Sequence, residues 1–122
     1  MPWELTVLHP HGHRLGSPNE VKATLSRVWP ELQWETVEPP SPPMTVGILE
    51  TDSFSFEAHG FEGDPVEDFY LDIRGDGDPV PLLMRLKSQA GWSLKEMLTG
   101  RVLDERGMRE RWANFRQMRD GA

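Results

Sequence analysis

No cysteine occurs among the 122 residues, which excludes a disulfide framework, a cysteine nucleophile and any zinc site built on thiolates. No apolar run approaches the ~20 residues of a membrane-spanning helix. Met1–Pro10 has neither the basic start nor the apolar core of a secretory signal. These absences lead us to expect a cytoplasmic chain with no membrane partner. Positive charge is also scarce: 13 Lys/Arg face 20 Asp/Glu, a formal net charge of −7. Nucleic acid and anionic lipid are disfavoured as partners, because the long-range electrostatic force is repulsive. The length fits one α+β domain over residues 1–122.

What is present is ordered by local signals. Trp3, Leu5 and Val7 alternate with more polar neighbours, the period of a half-buried strand. Ser17-Pro18-Asn19-Glu20 reads as a helix start, with Ser17 as cap, Pro18 in the first helical position and Glu20 closing a capping box. Val21, Thr24, Leu25 and Val28 give that helix its apolar face, and Pro30 stops it. Leu32–Val37 reads as a short strand. Glu38-Pro39-Pro40-Ser41-Pro42-Pro43 is a stiff connector that also carries P-x-x-P spacing.

Val46 and Ile48, then Phe54, Phe56 and Ala58, form a hairpin around a turn near Glu50–Ser53. Phe69, Leu71 and Ile73 make the clearest strand. Asp78 and Pro79 are expected to open a second helix, with Leu82, Leu83, Leu86 and Ala90 as its stripe and Gly91 as its stop. Trp92, Leu94 and Met97 suggest a last strand, and Arg101–Leu103 a short edge strand. The order β-α-β-β-β-β-α-β predicts a two-layer α+β sandwich, a mainly antiparallel sheet with two helices on one face and a C-terminal helix beyond. The topology expected is a ferredoxin-like variant elaborated by one hairpin, with the first strand beside the next or one strand away from it.

Charge divides along the chain. Before Arg101 there are 7 Lys/Arg and 16 Asp/Glu, a balance of −9, whereas from Arg101 onward 6 Arg face 4 acids, a balance of +2. In that basic segment Met108, Trp112, Phe115 and Met118 recur at helical spacing, and Asp104 is a suitable cap. An amphipathic helix over 104–120 is therefore expected. Its stripe docks either on the acidic body of the same chain or on a partner. Arg109, Trp112, Phe115 and Arg116 are the candidate partner-binding residues, since tryptophan and arginine are enriched at interfaces.

The run Phe69-Tyr70-Leu71-Asp72-Ile73-Arg74-Gly75-Asp76-Gly77-Asp78-Pro79 resembles a pattern in a family of small uncharacterised bacterial proteins. Gly91-Trp92-Ser93-Leu94 and Thr99-Gly100, followed by Leu103-Asp104, extend the likeness over the C-terminal half. The resemblance implies a bacterial chain and carries no established activity, so it adds no catalytic residue.

Chemistry-bearing patterns are few. Counted from Asp72 or from Asp76, the aspartates miss the spacing of an EF-hand, and no phosphate-binding glycine loop or serine-nucleophile elbow is present. His9, His11 and His13 fall on alternate positions of one loop, an arrangement that lets imidazoles share a metal ion. His59 is the expected fourth ligand, with Asp72 or Glu57 as oxygen donors. Two functions follow as expectations. The first is a non-enzymatic protein-interaction module without cofactor, engaging a protein partner or a second copy as a homo-oligomer. Immunity or antitoxin-like proteins, whose acidic faces neutralise basic toxins, exemplify that class by analogy. The alternative is a metal-binding protein or metal-dependent enzyme that uses zinc or a similar divalent transition metal at the histidine loop.

Overall fold

A computed structural model describes residues 2–37 and 44–121. The proline run and its P-x-x-P spacing lie outside the described residues. In chain order the elements are β1 (Trp3–Leu8), α1 (Pro18–Val28), β2 (Gln33–Val37), β3 (Met44–Glu50), β4 (Phe54–His59), β5 (Asp68–Gly75), α2 (Val80–Ala90), β6 (Ser93–Glu96) and α3 (Glu105–Gly121).

The start of α1 follows the expected chemistry. Ser17 Oγ accepts the Glu20 amide at 3.2 Å, and Glu20 Oε1 accepts the Ser17 amide at 3.0 Å. This reciprocal capping box satisfies two amides that a helix start otherwise leaves unpaired. For α2 the boundary moves by one residue. Pro79 is the N-cap, and Asp78 Oδ1 accepts the Val80 amide at 3.1 Å from two residues upstream. Gly91 ends α2 in the left-handed conformation, φ 72°. That geometry is costly for a residue with a Cβ. Asp104 caps α3 as expected, accepting the Gly107 amide at 2.7 Å.

All six strands join one sheet in the order β2-β3-β4-β5-β1-β6, with every neighbouring pair antiparallel. This is the strand order of a ferredoxin-like sheet with the β3–β4 hairpin inserted beside β2, an α+β two-layer sandwich. One expectation fails. β1 is neither beside β2 nor one strand away, because β3, β4 and β5 lie between them. The inserted hairpin pushes β2 to the far edge. The Arg101–Leu103 segment supplies a single bridge, Lys95 to Val102, and no further strand. β6 stops at Glu96, leaving Met97 47 % exposed.

Alternation decides what each face of the sheet carries. Trp3, Leu5 and Val7 of β1, Phe56 and Ala58 of β4, Phe69, Leu71 and Ile73 of β5, and Leu94 of β6 are all buried in one core. Val21 and Leu25 of α1, Leu83 and Leu86 of α2, and Trp112 and Phe115 of α3 complete that core. Three helices thus share one face of the sheet, where two were expected beside a terminal helix of unassigned position.

Candidate functional site

The opposite face of the sheet carries every described acidic residue of the strands except Glu96, and no described helix packs over it. By alternation Glu35, Glu50, Glu57, Asp68, Asp72 and Glu4 lie on it with Arg74 and Lys95 as the only described Lys or Arg. Register then concentrates the charge. Asp72 of β5 sits directly opposite Glu57 of β4 on one side and Glu4 of β1 on the other. Three carboxylates from distant parts of the sequence therefore form a row across three adjacent strands. Ile48 continues the row beyond Glu57, and the Met97 amide, which donates to the Glu4 carbonyl at 3.1 Å, continues it beyond Glu4.

Like charges placed directly opposite on adjacent strands destabilise a sheet. Here the relief is partial. Arg74 Nη1 is 3.7 Å from Glu57 Oε2, with both side chains near half exposed. His59 Nε2 is 3.3 Å from Asp72 Oδ2 but outside hydrogen-bond geometry, so this shielded nitrogen has no hydrogen-bond partner among the described residues. No ion pair to Glu4 is found among the described residues. In the neighbouring row, His59 lies opposite Tyr70, and Thr6 lies between Tyr70 and Lys95.

The basic helix is held by the chain itself. Arg109 Nη1 reaches Asp78 Oδ2 at 3.1 Å, and Arg119 Nη2 reaches Asp76 Oδ1 at 2.6 Å. Arg119 Nη1 donates to the Gly75 carbonyl at 2.9 Å, and the Trp112 indole donates to the Gly77 carbonyl at 3.0 Å. The Gly75–Asp78 turn, whose aspartates miss the EF-hand spacing, is thus the seat of α3. Trp112 is 4 % exposed, and so is Phe115. Trp112 lies 5.4 Å from Trp3, centroid to centroid. Arg116 is half-buried, and its Nε has no hydrogen-bond partner among the described residues. Of the four expected partner-binding residues, then, two belong to the core, one is paired to Asp78, and Arg116 lies beside the same turn.

Sequence reasoning missed Glu96. This carboxylate is wholly buried at the end of β6. It accepts hydrogen bonds from the Trp3 indole at 2.7 Å, Thr99 Oγ1 at 2.7 Å and Arg111 Nε at 2.8 Å. Burial pushes its pKa up, but the three hydrogen bonds and the Arg111 charge together hold the carboxyl below the ordinary glutamate range. The only signal available was its parity with Leu94, which points it into the core.

The histidines divide. His9, His11 and His13 cluster, with ring centroids 5.7 Å apart for His9 and His11 and 4.8 Å for His9 and His13. The His11 amide donates to His9 Nδ1 at 3.1 Å. His9 is pulled below the ordinary histidine range, by desolvation first and then by His13 and His11. His9 and His13 share a notch of about 280 Å³ with Glu67 and Asp68. His59 does not join them, since its neighbours are Asp72 and Tyr70. Among the described residues, no three His, Asp or Glu side chains stand in metal-holding geometry.

No family model, curated protein or solved structure matches the chain. No described helix is long and apolar enough to cross a membrane.

Proposed function

We propose that this chain is a non-enzymatic interaction module that docks a basic protein partner on the uncovered face of its sheet. The carboxylate row of Glu57, Asp72 and Glu4 carries the reading. Each like-charged cross-strand pair costs the free protein roughly 0.2–1 kcal/mol. A cationic surface laid over the row removes that cost and gains attraction, and steers encounter as well. A second copy presenting the same face does neither, because two acidic faces repel.

The test is affinity capture with the intact chain and with the Glu4→Gln, Glu57→Gln, Asp72→Asn triple variant. The retained protein is identified by mass spectrometry, purified and titrated. A basic partner is expected, with affinity that falls with salt and falls at least tenfold in the variant, about 1.4 kcal/mol. A purified partner that binds the variant as tightly as the parent overturns the proposal.

A second reading, binding of a divalent transition metal such as zinc, rests on the clustering of His9, His11 and His13, of which His9 and His13 line a notch with Arg14, Glu67 and Asp68. The pull on His9 favours neutral imidazole, the form that ligates a metal. Untagged protein purified without metal resin is expected to bind zinc at one equivalent and to melt higher with it. Absence of both effects removes this reading.

A further inference from the structure

We infer that the partner's contact is a cationic segment carrying one large apolar side chain, seated across the carboxylate row and into a notch at its end. The inference rests on the sheet-face reading above and adds to it the second half of the site.

The notch holds about 260 Å³ and is lined by Pro2, Trp3, Glu4, Met97, Leu98 and Phe115. Trp3 and Phe115, nearly buried, form its floor, and Met97 and Leu98, 47 % and 61 % exposed, form its lip. Apolar cavities of about 150 Å³ already accept a benzene ring, so an aromatic or leucine side chain fits here. Exposed large apolar residues are unremarkable when scattered, and informative when contiguous. Met97 and Leu98 adjoin each other on the rim of a hole whose floor is aromatic.

Glu4 joins the two halves. It ends the carboxylate row and also forms a wall of the notch. The floor residues Trp3 and Phe115 belong to the helix side of the sheet and the row to the other side, so a segment seated in the notch reaches Asp72 and Glu57 by turning over the end of the sheet at Glu4. Charge complementarity selects lysine or arginine where the segment meets those carboxylates and rejects an acidic segment or a second copy of this face. A charged row beside one apolar pocket is the arrangement in which a buried anchor supplies affinity and the surrounding charges supply orientation.

The experiment titrates the ¹⁵N-labelled full chain with three synthetic peptides of equal length. One carries arginines around a single tryptophan, one replaces that tryptophan with glycine, and one replaces the arginines with glutamates. The first is expected to shift the amides of Glu4, Asp72, Met97 and Leu98 and the Trp3 indole. It is also expected to bind about tenfold more tightly than the second, the gain that burial of one large apolar side chain provides. Leu98→Asp, at a position 61 % exposed, should abolish that tenfold difference while the second peptide still binds.

Equal affinity of the two cationic peptides, or indifference to Leu98→Asp, overturns this inference while leaving the row reading intact. Failure of both cationic peptides to shift Glu4, Asp72 and Glu57 overturns both. A dimer in light scattering that Leu98→Asp dissociates assigns the notch to a second copy and also overturns it.

Discussion

At the scale of single residues, Glu96 is the position on which most depends. A buried carboxylate is tolerable only when its hydrogen bonds and countercharge replace the water it has lost. Trp3, Thr99 and Arg111 do this from a strand, a turn and a helix. Glu96→Ala leaves Arg111, whose side chain is 17 % exposed, without its countercharge. A loss of about 3–5 kcal/mol is expected in urea unfolding. The pH dependence has a fixed sign. A carboxyl held below its ordinary range contributes its full stability above the unfolded glutamate value of ~4.3. It loses that stability as pH falls through the depressed folded value. Melting temperatures recorded downward from pH 6 should therefore fall less steeply in Glu96→Gln than in the parent chain. Gly75 is a second such position. Its φ of 111° is left-handed, and a Cβ there would collide with the Ser53 carbonyl oxygen and the Phe54 α-carbon.

Among the elements, α3 behaves as part of the core rather than as an appendage. Its surface ion pairs decide little. Arg109 and Asp78 are each near half exposed, and such pairs contribute at most about 1 kcal/mol. Burial of Met108, Trp112 and Phe115 contributes roughly 1.5–3 kcal/mol for each large side chain. Removal of residues 104–122 is therefore expected to unfold the chain, read as loss of cooperative melting by circular dichroism. A truncated chain that melts like the parent would contradict this. Local chemistry made the elements legible in advance: the Ser17–Glu20 capping box, the Gly91 stop, and the alternation in β1 and β5 all act within a few residues. Which side of α3 met what was not legible. Periodicity shows that Trp112 and Phe115 share a stripe, but not whether Trp3 or another molecule covers it. The inserted hairpin misled in the same way, since nothing within β1 or β2 says how many strands separate them.

For the molecule as a whole, net charge matters less than where register places it. Glu4, Glu57 and Asp72 look unrelated in the sequence, and only pairing of β1, β5 and β4 aligns them. That row was invisible because register is a property of the assembled sheet. It also makes a stability prediction. Glu4→Gln removes repulsion from Asp72 without breaking any ion pair found among the described residues, so it should stabilise the chain by about 0.5 kcal/mol. The gain should shrink as salt is raised from 10 mM toward 1 M, because exposed charges are then screened. A gain unchanged by salt would point to packing as its source. The place of β1 in the sheet has its own consequence for how the chain is built. β1 is the earliest strand, yet both its neighbours come late, β5 from Asp68 and β6 from Ser93. On the ribosome, Trp3, Leu5 and Val7 must wait unpaired while the β2–β3–β4 meander takes shape beside them. The Trp3–Glu96 bond spans 93 positions and can close only after Glu96 has been made. Such long-range closure slows folding and exposes an apolar strand to misassociation meanwhile. The strand that completes the sheet is thus also the one in most need of protection until it does.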